Sequence, residues 1–356
     1  MRPLIYVSVL AICVGVIVLL PARTPAIQNI DRPVGITTQT IPELLPQNSA
    51  ELLFTGDIML GRFVETLAER NPAGYLTSNI TDFLHQDDRI IITNFESAMA
   101  VPHVHSPNGT FAFSTQVENL VALEELNVQY ASLANNHSFD FGQSSYTDAI
   151  ASLASIGVTA FGHARNLTED SIVYIESGDY TIGIIGIHTL FNQPTAAELQ
   201  PLLATMRSQS DLQIAYIHWG NEYELIHAPK QARLATDLVA LGIDAVIGHH
   251  PHVTQDIQLI SGVPVFYSLG NFIFDQYFSA DVQEGLLVGL VVQPNSLQFT
   301  LYPQTSAGTL SQPRLMESSD REAFLIKLAE HSDTGLSEAI QLGILEIPWQ
   351  DTDLTE

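Results

Sequence analysis

The chain has 356 residues, 46% apolar and only 15% charged, which supplies a substantial core and argues against disorder. Its 39 acidic and 13 basic residues give a formal net charge of −26, and no stripe of Lys and Arg offsets it, which argues against nucleic acid as a partner. The single cysteine, Cys13, allows neither an internal disulfide nor a cysteine-based zinc site, so any metal must sit among oxygen and imidazole donors.

Residues 4–20 (LIYVSVLAICVGVIVLL) carry no charge and follow Arg2. The run is short for a spanning helix and slightly long for the core of a signal peptide. No small-x-small cleavage site stands out in 21–26, and Leu10-Ala11-Ile12 makes a poor lipoprotein box before Cys13. Residues 1–20 therefore read as a signal anchor in the cell membrane, with the rest on the extracytoplasmic side; a cleaved signal peptide and secretion are the alternative. Residues 21–50, with Pro21, Pro25, Pro33, Pro42 and Pro46, read as a linker.

From Glu51 onward, short apolar runs end abruptly in polar clusters. ELLF leads to TGD (55–57), RIIIT to NFE (94–96) and YASLA to NNH (135–137). LQIAYI leads to HWG (218–220), DAVI to GHHPH (248–252) and VPVFYSL to GNF (270–272). Such runs suit strands buried on both faces. Helix-like stretches lie between them at 61–70, 77–86, 115–126, 141–156, 194–209 and 230–241, and the alternation predicts an α/β domain. Residues 285–303 predict a hairpin turning at Pro294-Asn295-Ser296. The domain is drawn at 51–303, and 304–356 is set apart as an acidic, helical appendage.

Ligands of such sheets bind beyond the carboxyl ends of the strands, so the six clusters are expected to converge. Asp57 suits a metal-binding carboxylate or a cap for the helix starting near Gly61. Glu96 suits either a ligand or a carboxylate in a surface turn. In Asn135-Asn136-His137, Asn136 offers an amide oxygen and His137 a proton for a leaving group, with Asp140 one turn on to orient the ring. A left-handed turn beside a surface histidine is the plainer alternative. His218 at a strand end is either ligating or structural, whereas His188 and His227 read as structural. Gly248-His249-His250-Pro251-His252 is the strongest signal: three histidines in four positions are not a core pattern, and His250 and His252 flank a stiffening proline. His249 reads as support for its neighbours, and Asn271 as fixing a loop or facing substrate.

The ordered set GDIMLGR (56–62), NFE (94–96), ANNHSFDFG (134–142), HWGNEY (218–223), GHHPHVTQ (248–255) and GNFIFD (270–275) resembles the poly-γ-glutamate capsule synthesis protein (CapA) family, within the calcineurin-like metallophosphoesterase superfamily. The resemblance implies a four-layer αββα sandwich with a metal site at the strand ends, in a bacterial envelope protein. It implies Asp57 and His252 as ligands of a first metal, Glu96 as the bridging carboxylate, and Asn136, His218 and His250 as ligands of a second. It also implies His137 as the catalytic histidine. Two departures stand out: Met59 occupies the position where the superfamily usually has a histidine, and Glu96 replaces the usual bridging Asp.

The expected cofactor is one or two divalent metal ions, for which Mn, Fe, Zn and Co suit the donors about equally. The expected activity is hydrolysis of a phosphoester. The alternative is a non-catalytic component that binds polyglutamate or another subunit of a capsule synthesis complex. No G-x-S-x-G, P-loop or G-x-G-x-x-G motif is present, so serine-hydrolase and nucleotide chemistry are not supported.

Overall fold

The strand-forming segments are short, rich in β-branched residues and apolar at almost every position. LLFTGDI (52–58) and LQIAYIH (212–218) are buried throughout, which only strands covered on both faces can be. The computed structural model describes residues 51–86, 88–106 and 111–349. The expected anchor and linker lie outside the described residues. Among the described residues, no helix is long and apolar enough to cross a membrane.

The strands are β1 (Leu52–Ile58), β2 (Ile90–Phe95), β3 (Val128–Ser132), β4 (Thr159–Phe161), β5 (Ile172–Ser177), β6 (Tyr180–His188), β7 (Leu212–His218) and β8 (Ala245–His249). They continue with β9 (Ile257–Ile260), β10 (Val263–Phe266), β11 (Asn271–Ile273), β12 (Glu284–Gln293), β13 (Ser296–Thr305), β14 (Arg314–Leu315) and β15 (Ile344–Pro348). The helices are α1 (Arg62–Arg70), α2 (Thr81–Leu84), α3 (Val121–Glu125), α4 (Gln143–Ser155), α5 (Ala196–Arg207), α6 (Pro229–Ala240), α7 (Ser318–His331) and α8 (Ser337–Leu342).

Two mixed sheets result. The first runs β14-β13-β12-β1-β2-β3-β4, with β11 beside β1 and β15 beside β13; the second runs β5-β6-β7-β8-β10-β9. In the first, β1 to β4 are parallel and β12 joins antiparallel. In the second, β6, β7, β8 and β10 are parallel, with antiparallel strands at both edges. One core joins the facing sides of the sheets, including Phe54, Ile92, Ile184, Ile214, Ile247 and Phe299. A second core packs the first sheet against α1, α3 and α4, and a third packs the second sheet against α5 and α6.

Six of the fifteen strands coincide with the six predicted runs, and the hairpin of β12 and β13 turns at Pro294-Asn295. The helical segments predicted at 77–86 and 115–126 shrink to α2 and to α3 with a preceding 3₁₀ turn at Val117–Leu120. The stretch set apart at 304 is continuous with the fold: β13 runs through that boundary, and β15 pairs with it from Ser296↔Pro348 to Thr300↔Ile344. Phe324, Leu325, Leu328, Ile340, Leu345 and Ile347 enter the core between the sheets. Glu317, Asp320, Glu322, Glu330, Glu338 and Glu346 are exposed, so composition alone hides the apolar face that docks.

Glu51 opens β1 as a nearly buried carboxylate. It is held by Arg89 Nε at 2.5 Å and by the Tyr302 hydroxyl at 2.9 Å. At the other end of the strand, a Cβ on Gly56 would lie 2.2 Å from the backbone oxygen of Gly270, so only glycine admits the close approach of β11 there.

Because Leu345 is fully buried, Leu345→Ala should lower the unfolding free energy by about 2–5 kcal/mol in a denaturant titration. Leu342→Ala, at a side chain 66% exposed, should change it by less than about 0.5 kcal/mol.

Candidate metal centre

The polar residues that follow the apolar strands meet between the two sheets. Asp57 lies on β1, Asn94 ends β2 with Glu96 just beyond it, and Asn135 to His137 follow β3. From the second sheet come His218 at the end of β7 and His249, His250 and His252 at and after β8. Asp57 and Glu96 are fully buried, and His218, His250 and His252 are 2%, 6% and 3% exposed.

Glu96 Oε1 sits at the middle of this arrangement. Nε2 of His137, of His218 and of His252 each lie 3.8 Å from it. Those gaps are too long for hydrogen bonds, and the oxygen has no hydrogen-bond partner. The same span is within reach of two donors bound to one cation at about 2.0–2.2 Å each. His250 Nδ1 is likewise buried without a partner. Two groups of donors lie within 4.8 Å of one another here: Glu96, His250 and His252, and Asp57, Glu96 and His218. Glu96 belongs to both, as a bridging carboxylate would. The orphaned atoms and the carboxylate–imidazole donor set fit a divalent cation.

The electrostatics agree with that fit. Burial would raise Asp57, but hydrogen bonds from His249 and His252 hold its carboxyl well below the usual range. Burial, reinforced by the negative charge of Asp57, pushes Glu96 well above it. Burial, and then the neighbouring imidazole of His250, keeps His218 far below the ordinary histidine value. His250 is lowered to about 3 by burial and by His252. Both rings are therefore neutral, the form that binds metals.

A hydrogen-bonded shell fixes the donors. Asn94 Nδ2 donates to Asp57 Oδ1 at 2.8 Å and lies 3.4 Å from Glu96 Oε2 and 3.3 Å from His218 Nδ1. Its own Oδ1 accepts from Asn135 Nδ2 at 3.1 Å. Asn135 Oδ1 accepts the backbone N–H groups of His137 and Ser138, a local turn that presents Asn136 and His137. Asn136 Oδ1 meets His218 Nε2 at 2.7 Å. His249, expected as support, places Nδ1 3.0 Å from Asp57 Oδ1. Asn271 fixes a loop, with Oδ1 3.0 Å from His252 Nδ1. His250 and His252 have φ of 96° and 59°, conformations that cost side-chain-bearing residues free energy and cluster at functional sites.

His137 Nδ1 is 2.7 Å from Asp140 Oδ2, which also accepts the backbone N–H of Phe113 at 2.7 Å. The Phe113 ring stacks on His137 with centroids 3.7 Å apart at 20°. Arg62 lies over the other side of Phe113, 4.5 Å from its centroid, and pairs with Asp275.

All eight residues expected at the site are thus brought together; Asp57 caps no helix, since α1 starts after Gly61. Met59 is fully buried in the core under α1, its sulfur accepting the N–H of Gly61 at 3.1 Å. Among the residues that sequence reasoning passed over, Asn94 is the hub of the shell, and Phe113 and Arg62 frame His137. Asn94 and Arg62 fall inside the NFE and GDIMLGR runs, but no role was read for either; Phe113 carries no local signal. His227 is structural as expected, bound to Asp256 Oδ2 at 2.7 Å. His188 lies nearer than expected, its ring 5.7 Å from that of His218.

Because burial and the charge of Asp57 raise the Glu96 carboxyl, cation binding at Glu96 is expected to compete with its proton, whereas the lowered imidazoles of His218 and His250 favour the neutral form. Mn²⁺ titrated calorimetrically in two buffers of different ionisation enthalpy should show proton release at low pH, with affinity rising as pH rises. An affinity independent of pH, with no proton released, would contradict this assignment of Glu96.

Residues 51–276 match the family model for the bacterial capsule synthesis protein PGA_cap. The chain is 27% identical over 296 residues to the PGA biosynthesis protein CapA of Bacillus subtilis, covering 79% of this chain and 78% of that protein. It is 28% identical over 262 residues to the capsule biosynthesis protein CapA of Bacillus anthracis, covering 67% and 64%. Among solved structures, a putative 5′-nucleotidase from Staphylococcus aureus aligns over 69% of this chain and 51% of its own, at 16% identity and a TM-score of 0.45. The chain belongs to the bacterial capsule synthesis protein family PGA_cap.

Proposed function

We propose that this chain is a metal-dependent phosphoesterase-like protein of the bacterial envelope, acting in the synthesis or processing of a capsular polyglutamate polymer. The observation that carries the reading is Glu96 Oε1, orphaned and ringed at 3.8 Å by three imidazole nitrogens, beside a histidine already oriented by a carboxylate. The names of the two Bacillus relatives supply the polymer and the capsule. In this reading the domain begins at Glu51 and has the four-layer metallophosphoesterase architecture. An N-terminal anchor over 1–20 and a linker over 21–50 hold it on the extracytoplasmic side of the cell membrane.

Asp57, Glu96, Asn136, His218, His250 and His252 would hold one or two divalent ions of Mn, Fe, Zn or Co. Such an ion supplies Lewis acidity and the positive charge that an anionic phosphoester needs in a chain of net charge −26. His137 donates Nδ1–H to Asp140, which fixes the tautomer and turns Nε2 toward the centre. Protonated at Nε2, it would deliver that proton to the leaving oxygen. Phe113 stacked on the ring limits its rotation and screens it from water.

Met59 favours a second reading. With that side chain in the core, the centre lacks one imidazole expected of a two-metal hydrolase, and a metal that bridges carboxylates would suit binding of polyglutamate or of another capsule synthesis subunit. A generic phosphodiester assayed with added Mn²⁺ separates the two. On the enzymatic reading, wild type hydrolyses it and His137→Ala loses about 10²- to 10⁴-fold while keeping its metal. Metal-loaded wild type without hydrolysis would leave the binding reading.

A further inference from the structure

A second group of metal-binding side chains lies outside the centre, where α1 meets the loop after β2. Glu65 projects from α1 and is 1% exposed. Its Oε1 is 2.8 Å from His103 Nε2, and its Oε2 is 3.0 Å from His105 Nδ1. The ligand atoms of all three lie within 4.8 Å of one another. Among the described residues, no Lys or Arg pairs with this buried carboxylate. The two imidazoles are its side-chain hydrogen-bond partners among the described residues.

We propose that Glu65, His103 and His105 bind a divalent cation of the zinc type, separate from the candidate centre. The donor set is two imidazoles and one carboxylate, which suits a tetrahedral ion with its fourth position open to water. Zinc–nitrogen bonds of about 2.0–2.1 Å imply donor separations of about 3.3 Å at tetrahedral angles. The observed contacts of 2.8 Å to one carboxylate oxygen and 3.0 Å to the other are close to that separation, so the carboxylate and both imidazoles already stand within reach of one ion. The far nitrogen of His103, Nδ1, lies 3.4 Å from Ser114 Oγ, an outer partner of the kind that orients ligating imidazoles. Side-chain exposure of 25% at His103 and 54% at His105 gives the ion a path from solvent, while Glu65 is fixed on a helix.

The site would act as a clamp. The loop that carries both histidines returns through Ser114, whose backbone oxygen would lie 2.5 Å from a Cβ on Gly61, so loop and helix are already in close contact. One residue earlier on that return, Phe113 stacks on His137. An ion at Glu65 therefore ties α1 to the segment that packs against the general acid of the neighbouring centre. The proposal does not depend on hydrolysis there.

The test is the zinc content of the purified full chain after equilibrium dialysis against Zn²⁺ alone, by elemental analysis. The forms compared are wild type, His105→Ala, Glu65→Gln and the double variant His250→Ala/His252→Ala. His105→Ala should lose one equivalent relative to wild type, with the fold kept because that side chain is exposed. The double variant should retain this equivalent, and its melting temperature should rise with Zn²⁺. Adding His105→Ala to the double variant should abolish that rise. Equal zinc in wild type, His105→Ala and Glu65→Gln would overturn the proposal and leave only histidine–carboxylate hydrogen bonds. So would a double variant that binds none.

Discussion

Two carboxylates share a buried space at the ends of neighbouring strands, and the surroundings of the site answer that fact. Asp57 and Glu96 are fully buried, and neither has a Lys or Arg partner among the described residues. An uncompensated buried charge costs several kcal/mol, and a pair of like charges costs more. The protein divides the burden unequally. Asp57 keeps its charge by taking hydrogen bonds from Asn94, His249 and His252, while Glu96 is driven toward its neutral form. Such a division stabilises the metal-free fold and leaves one carboxylate ready to ionise for a cation.

The sheets serve that arrangement. Parallel strands present their carboxyl ends at one rim, and the two sheets bring two such rims together. The first sheet supplies the carboxylates, the amides and His137, the second the imidazoles of His218, His250 and His252. Because the donors are split between the sheets, packing of the core they enclose is a precondition for the centre. The C-terminal strand and helices, which close that core beyond β13, therefore bear on the site although none of their side chains belongs to it.

Much of this was legible in the sequence, because apolar runs that stop at polar clusters mark both the strands and their functional ends. That pattern is why seven of the eight residues expected there lie close together, and Asp140 joins them from one turn after His137. Other features were missed. The hairpin of β5 and β6 and the short β4 were passed over, although Glu176-Ser177-Gly178-Asp179 marks the hairpin turn. The docking of 314–348 depends on an apolar face diluted by acidic neighbours. Asn94 reads as an ordinary strand residue until its amide is seen to join both carboxylates and His218. Phe113 reaches His137, and Arg62 reaches Phe113, only through long-range packing, which no local pattern records. His103 and His105 stand two residues apart, but Glu65 lies far from both in sequence, and only the packing of their loop onto α1 makes the three neighbours.

His250 and His252 both occupy left-handed backbone positions, where glycine or asparagine would sit with less strain. Selection for stability alone would therefore erode this loop, exchanging imidazoles for residues that suit the turn. If the loop serves a cation, stability and cation binding pull in opposite directions at these two positions. A relative that had no use for the cation would then be expected to differ first here, before any change in the strands behind them.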